Sequence, residues 1–211
     1  MLKVTIYSAL LLILVGGFTP QPDAVAAGAD NNSEGARAIL AGGCFWCMES
    51  ALEAVAGVEE VISGYTGGEQ ANPTYKQVSS GSTGHTEAVE VHFNPKVVSY
   101  AELLQVFWRN MDPTDAAGQF VDRGSQYRSV IFYLNDEQRR IAEKSKADLA
   151  ASGRFDKPLV TEITPVGTFY RAEEYHQDYY AKKPLRYWLY TNNSGRKEFK
   201  KKYWGDEKAD D

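Results

Sequence analysis

The chain has 211 residues, 43% of them hydrophobic and 24% charged, with a net charge of −5 and an isoelectric point near 5.3. This composition excludes a disordered or fibrous chain and fits one soluble domain with a proper core. The acidic balance speaks against a nucleic-acid surface, and the one basic run, Arg196 to Lys202, reads as a solvated terminal face.

The N-terminus begins with the positive Met1-Leu2-Lys3, continues as an apolar run from Val4 to Phe18, and ends in the small residues Ala24 to Ala27. That is the three-part pattern of a secretory signal peptide, residues 1–27, cleaved after Ala26 or Ala27. The run of ~15 apolar residues is short of the ~20 that a membrane span needs, although a retained anchor is the competing reading. The expectation is an exported protein, periplasmic or secreted. Residues 28–36 read as a flexible leader, 37–195 as the folded domain and 196–211 as a charged C-terminal tail.

Within the domain, Arg37 to Ala41 is a strand ending at Gly42-Gly43, and a helix follows from about Cys44, with Met48, Ala51, Leu52 and Val55 at helical spacing and Gly57 as its stop. Val58 to Tyr65 is a second strand. Thr66 to Thr86, rich in Gly, Ser, Thr and Asn, is a loop long enough to suggest function. Ala88 to Phe93 alternates, with Val89, Val91 and Phe93 on one face. Ser99 and Glu102 form a capping box for a helix whose apolar face is Tyr100, Leu103, Leu104 and Phe107. After the polar stretch Met111 to Arg128 come a buried-type strand, Ser129 to Leu134, a helix, Asp136 to Ala151, and a strand, Val160 to Pro165. Glu173 to Lys182 reads as helix, with Pro184 following. The order β-α-β-β-α-β predicts an α+β fold of the split-βαβ (ferredoxin-like) type, a two-layer sandwich with appended helices and long loops.

The chemistry concentrates in AGGCFWCMES, Ala41 to Ser50, which holds both cysteines of the chain, Cys44 and Cys47. A disulfide closing so small a loop removes little entropy from the unfolded chain, so redox chemistry or metal binding explains the pair better than stapling. Cys44 follows two glycines and opens a helix, where the positive end of the dipole favours a thiolate; it is the candidate nucleophile. Cys47, one turn on, can resolve an oxidised Cys44. Phe45 and Trp46 are equally readable as core or as an apolar wall for a small substrate group. Glu87 lies two residues before Val89 and shares its face if the strand extends that far. A carboxyl there would be desolvated, its pKa raised, and able to act as a general acid; if the strand starts later, Glu87 is in water.

GCFWCMES, GYTGG (Gly64 to Gly68), NPTYKQV (Asn72 to Val78), GHTEAVEVHFNP (Gly84 to Pro95), LLQVFWRNMDPT (Leu103 to Thr114), DRGSQYRSVIF (Asp122 to Phe132) and EEYHQDYY (Glu173 to Tyr180), in this order, resemble peptide methionine sulfoxide reductases of the A type. The resemblance runs from about residue 38 to about residue 190. It implies a thiol-dependent enzyme that reduces methionine S-sulfoxide, free or in proteins, in the repair of oxidative damage. Cys44 would attack the sulfoxide sulfur and Glu87 protonate its oxygen, leaving Cys44 as a sulfenic acid. Phe45 and Trp46 would hold the S-methyl group, Tyr75 and Tyr127 the sulfoxide oxygen, and Asp122 the substrate backbone, with His176 near the pocket. Many members carry glycine where Cys47 stands and a recycling cysteine near the C-terminus. Here no cysteine follows Cys47, so it would resolve the sulfenic acid as a Cys44–Cys47 disulfide. A thioredoxin-like dithiol would reduce that bond; no bound cofactor and no metal is implied, nor any nucleic-acid partner. A monomer without stable membrane insertion after signal cleavage is expected. Two other classes remain to be separated by substrate: a soft-metal carrier using the two thiolates, and a thiol–disulfide exchanger that needs no sulfoxide pocket.

Overall fold

The computed structural model describes residues 36–205. The signal-peptide segment 1–27, residues 28–35 of the leader and residues 206–211 of the tail lie outside them. In chain order the elements are β1 (Ala36–Gly42), α1 (Phe45–Glu53), β2 (Val58–Thr66), α2 (Tyr75–Ser79), β3 (Thr86–Phe93), α3 (Tyr100–Arg109), β4 (Gly118–Gln119), β5 (Asp122–Arg123), a 3₁₀ turn (Ser125–Tyr127), β6 (Ser129–Tyr133), α4 (Asp136–Ala151), β7 (Glu162–Pro165), β8 (Tyr170–Arg171), α5 (Tyr179–Lys182), α6 (Pro184–Asn193) and α7 (Arg196–Trp204).

The six-stranded sheet has the order β7-β6-β1-β3-β2-β8. β1 pairs antiparallel with both β3 and β6, β2 pairs antiparallel with β3, and β6 with β7 is the parallel pair. β3 is therefore inserted between β1 and β2, and β1 between β3 and β6. These are the two interlocked split-βαβ units that the element order predicts.

Strand alternation gives the sheet two apolar faces. Ala38, Leu40, Val89, Val91 and Phe93 join the main core with Met48 and Leu52 of α1 and Leu103, Leu104 and Phe107 of α3. Ile39, Ala41, Ala88, Val130 and Phe132 face the other way, where Val166 and Phe169 cover them. Each fully buried Leu or Phe contributes roughly 1.5–3 kcal/mol, so the triplet on α3 fixes that helix firmly. Its start is set by the expected box: Glu102 N donates to Ser99 Oγ (3.3 Å) and Ser99 N to Glu102 Oε2 (2.7 Å).

Three expectations are revised. The polar stretch 66–86 contains a short helix, α2, and Thr86 and Glu87 already belong to β3. Glu173 to Lys182 is not one helix: Asp178 takes a left-handed conformation (φ +51°), and only Tyr179–Lys182 is helical. The turn frees the Gln177 amide to mimic a neighbouring strand, accepting from Ser63 N and donating to Ser63 O, both at 2.9 Å. The basic run is not a solvated tail. It forms α7, which buries Arg196 and Phe199 and stacks Phe199 against Phe155 and Tyr203, leaving Lys197, Lys201 and Lys202 outside. The apolar face of α7 rests on few side chains, and the charges between them hid it.

Candidate active site

β1 ends in Gly42-Gly43, and the chain turns there into α1. Gly43 has φ +85°, and a Cβ at this position would fall 2.5 Å from Gln119 Cβ, so only glycine fits. Cys44 caps α1, its carbonyl accepting from Cys47 N (3.1 Å) and Met48 N (3.4 Å). Both thiols are buried, with relative exposures of 4% for Cys44 and 3% for Cys47. The expectation that the helix end favours a thiolate at Cys44 is therefore revised. Burial, the hydrogen bond to Cys47 and the nearby charges of Cys47, Glu87 and Asp122 push the Cys44 thiol well up. Cys47 goes down to about 7, chiefly because it accepts that hydrogen bond from Cys44, with help from Arg196 and a hydrogen bond from Tyr187 against the cost of burial. The two thiols share a hydrogen bond and titrate as a pair, burial opposing the charge and Arg196 favouring it on the Cys47 side.

Glu87 sits within β3, in phase with Val89 and Val91, and its side chain is 2% exposed. Its Oε2 accepts from Phe45 N at 3.0 Å, beside Cys44. Burial raises its pKa to about 8 despite that bond, with Asp122 and Cys47 adding to the rise, so the group is largely protonated at neutral pH. Tyr75 at the start of α2 and Tyr127 in the 3₁₀ turn are half-buried, and both feel the charges of Glu87, Cys44 and Asp122. Desolvation holds both phenols protonated, Tyr75 up to about 12, so each remains a hydrogen-bond donor.

The aromatic residues gather around this point. Phe45 is buried and lies 5.0 Å from His176 and 6.5 Å from Tyr75, centroid to centroid. Trp46 is half-buried, stacks on Tyr179 at 3.8 Å and donates its Nε1 hydrogen to His176 Nδ1 at 3.1 Å. Burial lowers the pKa of His176 to about 4, so the imidazole is neutral and can accept this bond. Phe45 is thus part of the core, and Trp46 packs half-buried against it.

Residues that the sequence left unassigned complete the site. Glu173 ties its layers together, accepting from Tyr75 N and Tyr65 Oη, both at 2.8 Å. From α6, Tyr190 donates to Asp122 Oδ2 and Tyr187 bonds Cys47. From α7 comes the buried guanidinium of Arg196. Glu173 stood in the quoted EEYHQ block; nothing in the spacing of Tyr187, Tyr190 or Arg196 pointed to the cysteines. Among the described residues no group of three or more His, Cys, Asp or Glu is placed to hold a metal ion, and no helix is long and apolar enough to cross a membrane.

A buried thiol pair, a largely protonated buried carboxyl and two phenols that feel both suit a reaction that attacks sulfur while protonating an oxygen. Comparison with known proteins agrees. Residues 36–208 match the family described as Peptide methionine sulfoxide reductase. Over 168 residues the chain is 61% identical to the peptide methionine sulfoxide reductase MsrA of Listeria innocua, covering 80% of this chain and 95% of that protein. The reduced form of Mxr1 from Saccharomyces cerevisiae is 34% identical, with a TM-score of 0.69 over 74% of this chain and 89% of Mxr1. Mxr1 in its complex with Trx2 gives 26% identity and a TM-score of 0.51, over 71% of this chain and 87% of that one.

Proposed function

This chain belongs to the peptide methionine sulfoxide reductase family, and on that premise we propose how its site carries out thiol-dependent reduction of methionine sulfoxide. The observation that carries the reading is Glu87, buried, uncharged at neutral pH and hydrogen-bonded to the backbone next to Cys44. The sulfoxide enters with its methyl group against Phe45 and Trp46, His176 holding the Trp46 ring and Asp122 meeting the substrate backbone. Its oxygen takes hydrogen bonds from Tyr75 and Tyr127. Cys44 attacks the sulfur as its proton passes to Cys47, and the Glu87 proton goes to the oxygen. The sulfur–oxygen bond of the substrate breaks, methionine leaves, and Cys44 retains the hydroxyl as a sulfenic acid. Cys47 then attacks the Cys44 sulfur; a disulfide forms, and hydroxide departs with the Cys47 proton as water.

The cycle closes when an external dithiol reduces the Cys44–Cys47 disulfide. The pairing of Mxr1 with Trx2 supports a thioredoxin-like donor, here one in the compartment to which the N-terminal segment directs the protein. Export and signal cleavage, a monomeric state and the repair of oxidised proteins are parts of the same proposal; N-terminal sequencing of the protein from exporting cells tests the first.

The decisive experiment is a single turnover. Reduced mature protein is mixed with excess methionine S-sulfoxide and no reductant, and methionine formed and thiols lost are counted. About one methionine per chain with both thiols consumed is expected. No methionine with intact thiols would move the reading to metal carriage or disulfide exchange. Cys44→Ser should abolish turnover. Cys47→Ser should give at most about one methionine per chain, leave Cys44 as a sulfenic acid and fail to recycle with a dithiol protein.

A further inference from the structure

Arg196 occupies an unusual place for a guanidinium. It is the first residue of α7, only 5% exposed, and its charge is permanent. Nη1 donates to the Asn110 carbonyl at the end of α3, and the cation lies 4.7 Å over the Phe120 ring. Nε and Nη2 have no hydrogen-bond partner. Nη2 points at the cysteine turn, 3.7 Å from where a Cβ would stand on Gly43. A buried cation with open donors is costly unless something negative answers it. The groups that can do so come from two elements, Cys47 on α1 and Asp122 on β5, with the thiol of Cys44 and the phenol of Tyr190 beside them.

We propose that Arg196 is a positioning residue for the second half of the reaction, the counter-charge that keeps Cys47 available as the thiolate that closes the disulfide. This rests on Cys47 as the resolving thiol. The remaining surroundings of Cys47 do not replace Arg196. The hydrogen bond from Cys44, the leading cause of its low pKa of about 7, exists only while Cys44 is a thiol, and it is spent once Cys44 becomes a sulfenic acid. Tyr187 donates a neutral hydrogen bond, Asp122 opposes the charge, and Glu87 has become a carboxylate by giving up its proton. Lys200, one turn along α7, is half-buried, bonds Asn110 Oδ1 at 3.2 Å, and is itself pushed toward neutrality by burial and by Arg196. Arg196 is the fully buried fixed cation that persists through both steps. In the closing step Cys47 sulfur bonds Cys44 sulfur, the Cys44–oxygen bond breaks, and the leaving hydroxide combines with the proton that Cys47 has shed.

The test compares full-length parent, Arg196→Met and Arg196→Lys, each reduced and mixed with methionine sulfoxide without reductant. Methionine release and thiol loss are timed separately from about pH 6 to about pH 10. Each unit by which the Cys47 pKa rises removes about fivefold to about tenfold of thiolate at about pH 7, the smaller factor for a start near 7, and returns about threefold in nucleophilicity. Thiol loss in Arg196→Met should therefore slow by about twofold to threefold per unit near pH 7, relative to methionine release, and match or overtake the parent above about pH 9. Arg196→Lys should lie between, since it restores a charge without the fork. A thiol-loss profile superimposable on the parent's, or a slowing equal at every pH, overturns the proposal while leaving Cys47 as resolver. A parent that releases methionine but keeps the Cys47 thiol overturns that reading and this inference together. If Arg196→Met fails to fold, the profile of Arg196→Lys against the parent decides, a superimposable one overturning the proposal.

Discussion

Glu87 and Glu49 are both buried carboxyls, and their neighbours give them different work. Glu87 faces the cysteine turn and accepts from Phe45 N beside Cys44. Glu49, two residues beyond Cys47 on α1, is 0% exposed; its Oε1 accepts from Ser63 Oγ at 3.2 Å and its Oε2 has no side-chain partner. With Glu87 as the proposed acid and a pKa of about 8, methionine release should hold through neutral pH and fall as the pH passes about 8. Glu87→Gln should lower that rate by about 10²–10⁴-fold and remove the alkaline fall, as single-turnover rates against pH will show. A variant that keeps the parental profile would assign the acid elsewhere. Glu49 supplies a stability test. Burial lifts its pKa to about 7, above the unfolded value, so the folded chain binds the extra proton between those two values. Its contribution is complete below the unfolded pKa and is lost as the pH rises through about 7. Glu49→Gln, measured by thermal melting, should gain on the parent between about pH 4 and about pH 8, even if the new amide weakens the protein at every pH.

Among the elements, the turn from β1 into α1 is held by shape more than by hydrogen bonds. Gly43→Ala forces a side chain into a left-handed backbone and against Gln119, and should cost about 1–3 kcal/mol in denaturant unfolding. It should also slow methionine release, because the Cys44 sulfur is aimed from this turn; a variant of parental rate would show that the aim is set within α1. Strong periodic signals made the central elements readable from the sequence. Alternation in Val89, Val91 and Phe93 carried Glu87 to the correct face of β3, and the box of Ser99 and Glu102 gave the start of α3. What failed had no local signal. α7 buries one phenylalanine and one arginine among lysines, and Gln177 replaces a strand with a single side-chain amide, so only tertiary partners disclose them. The raised pKa of Cys44 belongs to the same class: the helix end was legible, but the burial that overrides it comes from elements far along the chain.

At the scale of the molecule, the cysteines lie where a well-packed sheet meets a thinly packed C-terminal arm. β1 and β3 contribute Ala38, Leu40, Val89 and Val91, all at 0% exposure, whereas α6 has no buried residue and leaves Leu185 70%, Trp188 57% and Leu189 47% exposed. Yet Tyr187 and Tyr190 on α6, with Arg196 beyond them, help to cover the free thiols whose proposed disulfide a protein reductant would have to touch. Thiol–disulfide exchange requires a thiolate to reach one of the two sulfurs, which are 4% and 3% exposed, so the proposed recycling calls for part of this cover to open. Local opening is easiest where few apolar contacts are lost, which places it in α6 and not in the sheet. Native-state hydrogen exchange should therefore find the amides of α6 exchanging through a low-energy opening, at least about tenfold faster than those of β1 and β3. If α6 were protected as strongly as β1, the arm would open only with the whole fold, and the reductant would have to approach the cysteines from the side of Trp46.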